Sequence, residues 1–166
     1  ILIRAGAVDL VTSDVFDTLV TRSVATPSDL FVQLAASFDL PQHVTPAMFA
    51  LARREAEHQA RQQRSDARRA HLVSPASMRR GAIEADPEVE APECTLNEIW
   101  SLMPVDWVGS ADGAALELEL EASALEPIPE AVELFRTANE HHVPVVLVSD
   151  IYLTSSQLST VLEHAG

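Results

Sequence analysis

Val11-Thr12-Ser13-Asp14-Val15-Phe16-Asp17-Thr18-Leu19, read V-T-S-D-V-F-D-T-L, is the stretch on which the fold turns. It follows Ala7 to Thr12 (A-V-D-L-V-T), a short run rich in β-formers that predicts a buried strand leading into Ser13-Asp14. A second such run, Val143 to Val148 (V-P-V-V-L-V), enters Ser149-Asp150. Pro144 is tolerable there because it lies near the strand start. Both strands thus end in the same chemistry, a small hydroxyl residue beside an aspartate. Between them, Pro129 opens a helix with Ala131, Leu134, Phe135 and Ala138 on one face. After the second strand, Ser155 or Ser156 caps a helix with Leu158, Val161 and Leu162 inward. Helix, strand, loop, helix is an α/β pattern with parallel strands.

The text changes between Thr18 and Leu125. Thr26-Pro27-Ser28-Asp29 starts a helix with Leu30, Phe31, Leu34 and Phe38 on one side, and Thr45-Pro46 starts another that runs on through an Arg-rich stretch. Glu84 to Glu93, with two prolines and five acids, reads as a loop. Thr95-x-x-Glu98 is a capping box for a short helix carrying Ile99 and Trp100. Ala111 to Leu125 contains the alternation L-E-L-E-L, but its Leu, Glu and Ala content and its length favour helix. A mostly helical insertion therefore separates the two strands.

Composition narrows the class. With 166 residues, 47% apolar and 22% charged, the chain suits one globular domain carrying an insertion. It excludes disordered and collagen-like classes. No uncharged apolar run approaches the ~20 residues of a membrane span, and no signal-peptide pattern opens the chain, so a cytoplasmic location is expected. Charge is uneven: residues 1–83 hold ten Arg against eight acids, residues 84–166 one Arg against seventeen. A net charge of −14 repels phosphate backbones and argues against nucleic acid as a partner. All eleven cations are Arg, with no Lys. The single Cys94 excludes an internal disulfide.

Ligands of open α/β sheets bind beyond the carboxyl ends of the strands. If the two strands are neighbours, Asp14 and Ser149 face one crevice. A carboxylate there serves as nucleophile, Mg²⁺ ligand, or both. The Ser149 hydroxyl and nearby amides can hold a phosphate oxygen.

On these residues the sequence resembles the haloacid dehalogenase (HAD) superfamily. D-V-F-D-T-L resembles its first motif, D-x-D-x-T, and V-V-L-V-S-D its second. Leu125 to Phe135 is similar to the stretch that re-enters the core from the cap. More narrowly, D-V-F-D-T-L-x-x-R, Arg53 to Arg61, T-L-x-E-I and S-D-I-Y-L resemble a bacterial subgroup often fused to, or encoded near, glycosyltransferases of surface-polysaccharide synthesis.

The resemblance implies a Rossmann-like core from residues 1–22 and 126–166, with a mostly helical cap at 23–125. It implies Mg²⁺-dependent hydrolysis of a small phosphorylated substrate, a sugar phosphate or polysaccharide precursor. Asp14 would be the nucleophile, forming an aspartyl-phosphate, and a Mg²⁺ ligand. Phe16 would offer Mg²⁺ its backbone carbonyl, Thr18 would steady the loop, and Ser149 would hold the phosphate. Phe16 stands where the acid/base Asp of the phosphatases stands, and Asp17 follows where Gly is usual. Asp17 is thus either the displaced acid/base or a turn-capping carboxylate, and Asp150 either a functional residue or a loop cap. The superfamily's third-motif Lys and fourth-motif acids have no match in the chain. Since it starts at Ile1 without Met and stops at Gly166, we expect a piece of a longer enzyme, inactive by itself. Two rival readings follow: an inactive regulatory or docking module tied to a glycosyltransferase, and a metal-independent dehalogenase-type hydrolase.

The Arg run (Arg53, Arg54, Arg61, Arg64, Arg68, Arg69, Arg79, Arg80) reads as a solvated helix face with pairs such as Arg53–Glu57. Within it, Arg54 and Arg61 are the candidates to face an anionic substrate. His141-His142 ends a helix, where cations suit the dipole. Trp100 and Trp107 are expected in the cap core or at its contact with the rest.

Overall fold

The computed structural model describes residues 3, 4, 6–72 and 94–165. The expected loop at Glu84–Glu93, and Arg79 and Arg80, lie outside the described residues.

The chain is mixed α/β. Strand β1 (Val11–Asp14) pairs in parallel with β4 (Val145–Val148), Val11 opposite Val145 and Asp14 opposite Val148. β1 starts later than its apolar run suggests. Its partner begins only after Pro144, whose carbonyl accepts from Val11 N at 2.9 Å, so residues before Val11 find no strand to pair with. Asp14 is therefore the last residue of the strand and not part of the loop. A short ribbon follows: β2 (Val20–Arg22) runs antiparallel to β3 (Leu125–Pro127). The chain enters the helical insertion from β2 and leaves it through β3.

The insertion holds α1 (Pro27–Leu34), a 3₁₀ turn (Ala35–Ser37), α2 (Pro46–Leu72), α3 (Leu96–Ser101), α4 (Val105–Val108) and α5 (Gly113–Ala124). Local chemistry starts these helices as expected. The Asp29 carboxylate accepts from Thr26 N at 2.7 Å, Thr45 Oγ1 from Met48 N at 3.2 Å, and Thr95 Oγ1 from Glu98 N at 3.3 Å. The L-E-L-E-L segment is helical, as propensity favoured over alternation. Two helices flank β4: α6 (Pro129–Glu140) and α7 (Ser155–Ala165). The cap of α7 is Thr154, not Ser155 or Ser156: Thr154 N donates to Gln157 Oε1 at 2.9 Å, and Gln157 N donates back to Thr154 Oγ1 at 3.3 Å. On α6, Ala138 is buried as expected, whereas Leu134 is exposed where an inward position was expected and Thr137 is buried.

Two apolar clusters organise the molecule. One gathers Val15, Leu19, Val20, Leu125, Leu153 and Val161 around the ribbon and α7. The other gathers Leu34, Phe49, Ala56, Ala60, Ile99 and Met103 among the helices. Trp100 and Tyr152 pack against both and join them. Gly113 is required where the layers meet, because a Cβ there would fall inside the contact distance of the Trp100 ring. Among the described residues no helix is long and apolar enough to cross a membrane.

Candidate active site

The parallel register sets the C-terminal ends of β1 and β4 side by side. Adjacent strands lie ~4.8 Å apart, so Asp14 stands beside Val148, with Ser149 the next residue along. Asp14 is exposed, and among the described residues no side chain hydrogen-bonds to its carboxylate.

A tight turn then reverses the chain. Val15 is fully buried and its carbonyl accepts from Leu19 N at 2.8 Å and Val20 N at 3.1 Å; Asp17 N donates to Val20 O at 2.7 Å. Closing that turn puts Asp17 at φ 58°, a left-handed conformation that glycine takes freely and aspartate better than most residues. Asp17 and Thr18 are both exposed. Phe16 is partly buried, its ring 4.3 Å beneath the Arg22 guanidinium. Arg22 in turn donates from Nε to Glu121 Oε1 at 2.7 Å. Burial pushes the Glu121 carboxyl above the usual range even though Arg22 pulls it down.

On the neighbouring strand, Ser149 Oγ accepts from Ile151 N at 3.4 Å, so Ser149 closes its own loop while Asp150 stays exposed. Two residues on, Tyr152 turns inward. Its hydroxyl donates to Glu117 Oε1 at 2.9 Å and its carbonyl accepts from Leu96 N at 3.1 Å. Burial, with the Glu117 carboxylate adding to it, raises the phenol well above its ordinary value of 10.0.

Glu117 is the hub of a buried polar network. Arg53 grips it with both ends of its fork, Nε to Oε2 at 2.7 Å and Nη2 to Oε1 at 2.6 Å, and Trp100 Nε1 donates to Oε2 at 2.9 Å. The Arg53 guanidinium lies between the Phe31 and Tyr152 rings, 4.6 and 4.9 Å from their centroids. Burial opposes the Arg53 charge, but Glu117 more than offsets it, and the guanidinium holds its proton more firmly than usual. The expected solvated Arg53–Glu57 pair is therefore corrected. Arg53 does reach Glu57 at 3.3 Å, yet its own side chain is 0% exposed. The buried stripe of α2 runs through Phe49, Arg53, Ala56 and Ala60, which points Arg53 inward and leaves Arg54 exposed. Arg61 pairs along the helix with Glu57 at 3.1 Å.

The structure thus brings Asp14, Phe16, Asp17, Thr18, Ser149 and Asp150 to one end of the parallel pair. It sets Arg54 and Arg61 on α2, where Arg61 pairs with Glu57. Mg²⁺ binds through one or two carboxylates and keeps water and phosphate oxygens as its other ligands. The Asp14 carboxylate and the Phe16 carbonyl are oxygen donors of the kind such a shell uses. Among the described residues no group of three or more His, Cys, Asp or Glu is gathered as a fuller metal site. An open hollow of about 490 Å³, lined by Arg4, Asp9, His141 and His142, lies before the strands begin, at the end away from Asp14, and does not serve it.

Sequence reasoning missed Arg22, Arg53, Glu117, Glu121 and Tyr152. One signal was there to find. Gly113, Glu117 and Glu121 repeat every four residues, so on a helix they share a face, and that face is the buried one. Comparison of the chain with models of known protein families and with curated proteins finds no match.

Proposed function

We propose that this chain is the nucleophile-bearing part of a HAD-type hydrolase, a Rossmann-like core with a helical cap, acting on a small phosphate ester. One observation carries the reading: Asp14 ends β1 beside the Val148–Ser149 end of β4, with an exposed carboxylate and a tight turn after it. An Asp14 oxygen attacks phosphorus, the phosphorus–oxygen bond to the leaving group breaks, and the leaving oxygen takes a proton. Water then hydrolyses the aspartyl-phosphate, releasing phosphate and restoring Asp14. Ser149 and the turn amides hold the phosphoryl oxygens, and Thr18 steadies the turn. Asp17 is the candidate proton donor and Asp150 a second polar group at the rim. Mg²⁺ held by Asp14 and the Phe16 carbonyl would neutralise phosphoryl charge. A sugar phosphate as substrate, a glycosyltransferase as partner and a cytoplasmic setting belong to the same proposal.

The test is hydrolysis of p-nitrophenyl phosphate, with and without Mg²⁺, by the longer enzyme of which this chain is the expected part, together with mass spectrometry of that protein after acyl-phosphate trapping. Activity lost in EDTA and in Asp14→Asn, with the trapped group on Asp14, supports the reading. Activity that survives EDTA and releases halide from a haloacid replaces it with a dehalogenase.

A second reading is favoured by Phe16. Its ring occupies the acid/base place beneath an arginine already engaged with Glu121, which suits a docking module without turnover. No hydrolysis and no trapped Asp14 would select it.

A further inference from the structure

The two loops at the candidate site come from opposite ends of the sequence, yet both are tied to one face of α5. Phe16, in the first loop, lies under Arg22, which is bonded to Glu121. Tyr152, in the second, is bonded through its hydroxyl to Glu117, which Arg53 holds in a two-point grip. Glu117 and Glu121 are one helical turn apart, and both are buried. The described residues leave no buried side-chain donor or acceptor unpaired. Tearing Arg22 away would strand the buried Glu121 carboxylate, and tearing Tyr152 away would cost a buried hydrogen bond to Glu117, which keeps Arg53 and Trp100.

We infer that Glu117 and Glu121 are positioning residues: α5 is a strut that braces the Asp14–Thr18 turn and the Ser149–Leu153 loop against each other, and it holds the helical insertion fixed against both. An insertion that swung open would have to break both carboxylate links at once. The strut itself stands on the geometry alone; its catalytic consequence rests on the hydrolase reading above.

Hydrogen exchange on wild type, Tyr152→Phe, Glu117→Gln and Glu121→Gln tests it. Tyr152→Phe keeps the ring and removes only the hydroxyl. It should speed exchange of the Leu96 and Ile151 amides about tenfold, the size expected for losing a hydrogen bond to a charged group. Glu121→Gln should do the same to the Asp17, Leu19 and Val20 amides. In both, α1 and the first half of α2 should keep wild-type protection. Unchanged exchange in the loops, or an equal loss across the whole molecule, overturns the strut. In a protein that hydrolyses p-nitrophenyl phosphate, Tyr152→Phe should lower kcat about tenfold with KM unchanged; a raised KM with kcat intact overturns the positioning role. A longer wild-type enzyme without hydrolysis defeats the hydrolase reading and leaves the exchange result to decide the strut.

Discussion

The helical insertion and the parallel pair are built to different standards. Among the described helices the few buried charged groups are fully partnered, with Arg53 at 0% exposure and Glu117 at 5%. The parallel pair is the opposite. Parallel strands are ordinarily covered on both faces, yet β4 shows Val146 and Val148 on one side and Leu147 on the other, 46%, 58% and 38% exposed. The candidate site sits on the barer half and borrows its rigidity from the denser one through Tyr152 and Arg22. Stability and site geometry are thus supplied by different parts of the chain.

Arg53→Leu should break this contrast hardest. It leaves Glu117 buried without its cation, a loss of about 3–5 kcal/mol out of a total of roughly 5–15, read by urea unfolding. Arg54→Leu, one position along and exposed, should stay within ~0.5 kcal/mol. Equal losses for the two would erase the distinction between the faces of α2. Gly113→Ala comes next. A methyl driven into the Trp100 ring should cost about 1–3 kcal/mol in thermal unfolding, and a neutral result would mean that the layers part easily.

The third prediction concerns alkaline pH. The chain has no Lys and one Tyr, so the side chains that titrate between the histidines and the arginines are Cys94 and Tyr152. Both are raised, first by burial: Tyr152 with Glu117 and Glu121 adding to the rise against Arg53, Cys94 with Glu57 and Glu98 adding against Arg61 and Arg53. A raised group lends stability that is whole below its unfolded pKa and is lost as pH climbs toward the folded one. Stability should therefore fall above pH 9 to 10, by up to ~1.4 kcal/mol per pH unit for each group. Tyr152→Phe should remove the part that begins at 10.0. An identical alkaline limb in that variant would show that the hydroxyl is not held as described. The smallest effect belongs to the bare strand: Val148→Thr should change stability by less than ~0.5 kcal/mol, and a larger loss would reveal that β4 is covered in solution.

What was legible in the sequence was local. The Thr95–Glu98 box, prolines at helix starts and the helical preference of Ala111–Leu125 each depend on a few neighbouring residues, and each is found where expected. The start of β1 was not legible, because it is decided by Pro144, more than a hundred residues away. The neighbourhood of Asp14 and Ser149 followed from two similar strand ends, once the strands paired. The bracing of that site did not follow. Arg53 lies in a polar helix whose exposed side reads as fully solvated, and only its partner on α5, 64 residues on, makes its burial affordable. Charged core positions escape a reading that looks for apolar faces.

Trp100 and Tyr152 share one carboxylate, the indole N–H on one oxygen of Glu117 and the phenol on the other. Tyr152 is the chain's one tyrosine and Trp100 one of two tryptophans. Excitation passed from the phenol to the indole thus crosses the junction between the parallel pair and the helical layer. The protein carries its own optical ruler across that seam: tyrosine emission should be quenched while the two halves are docked and recover when they separate, with no label to attach.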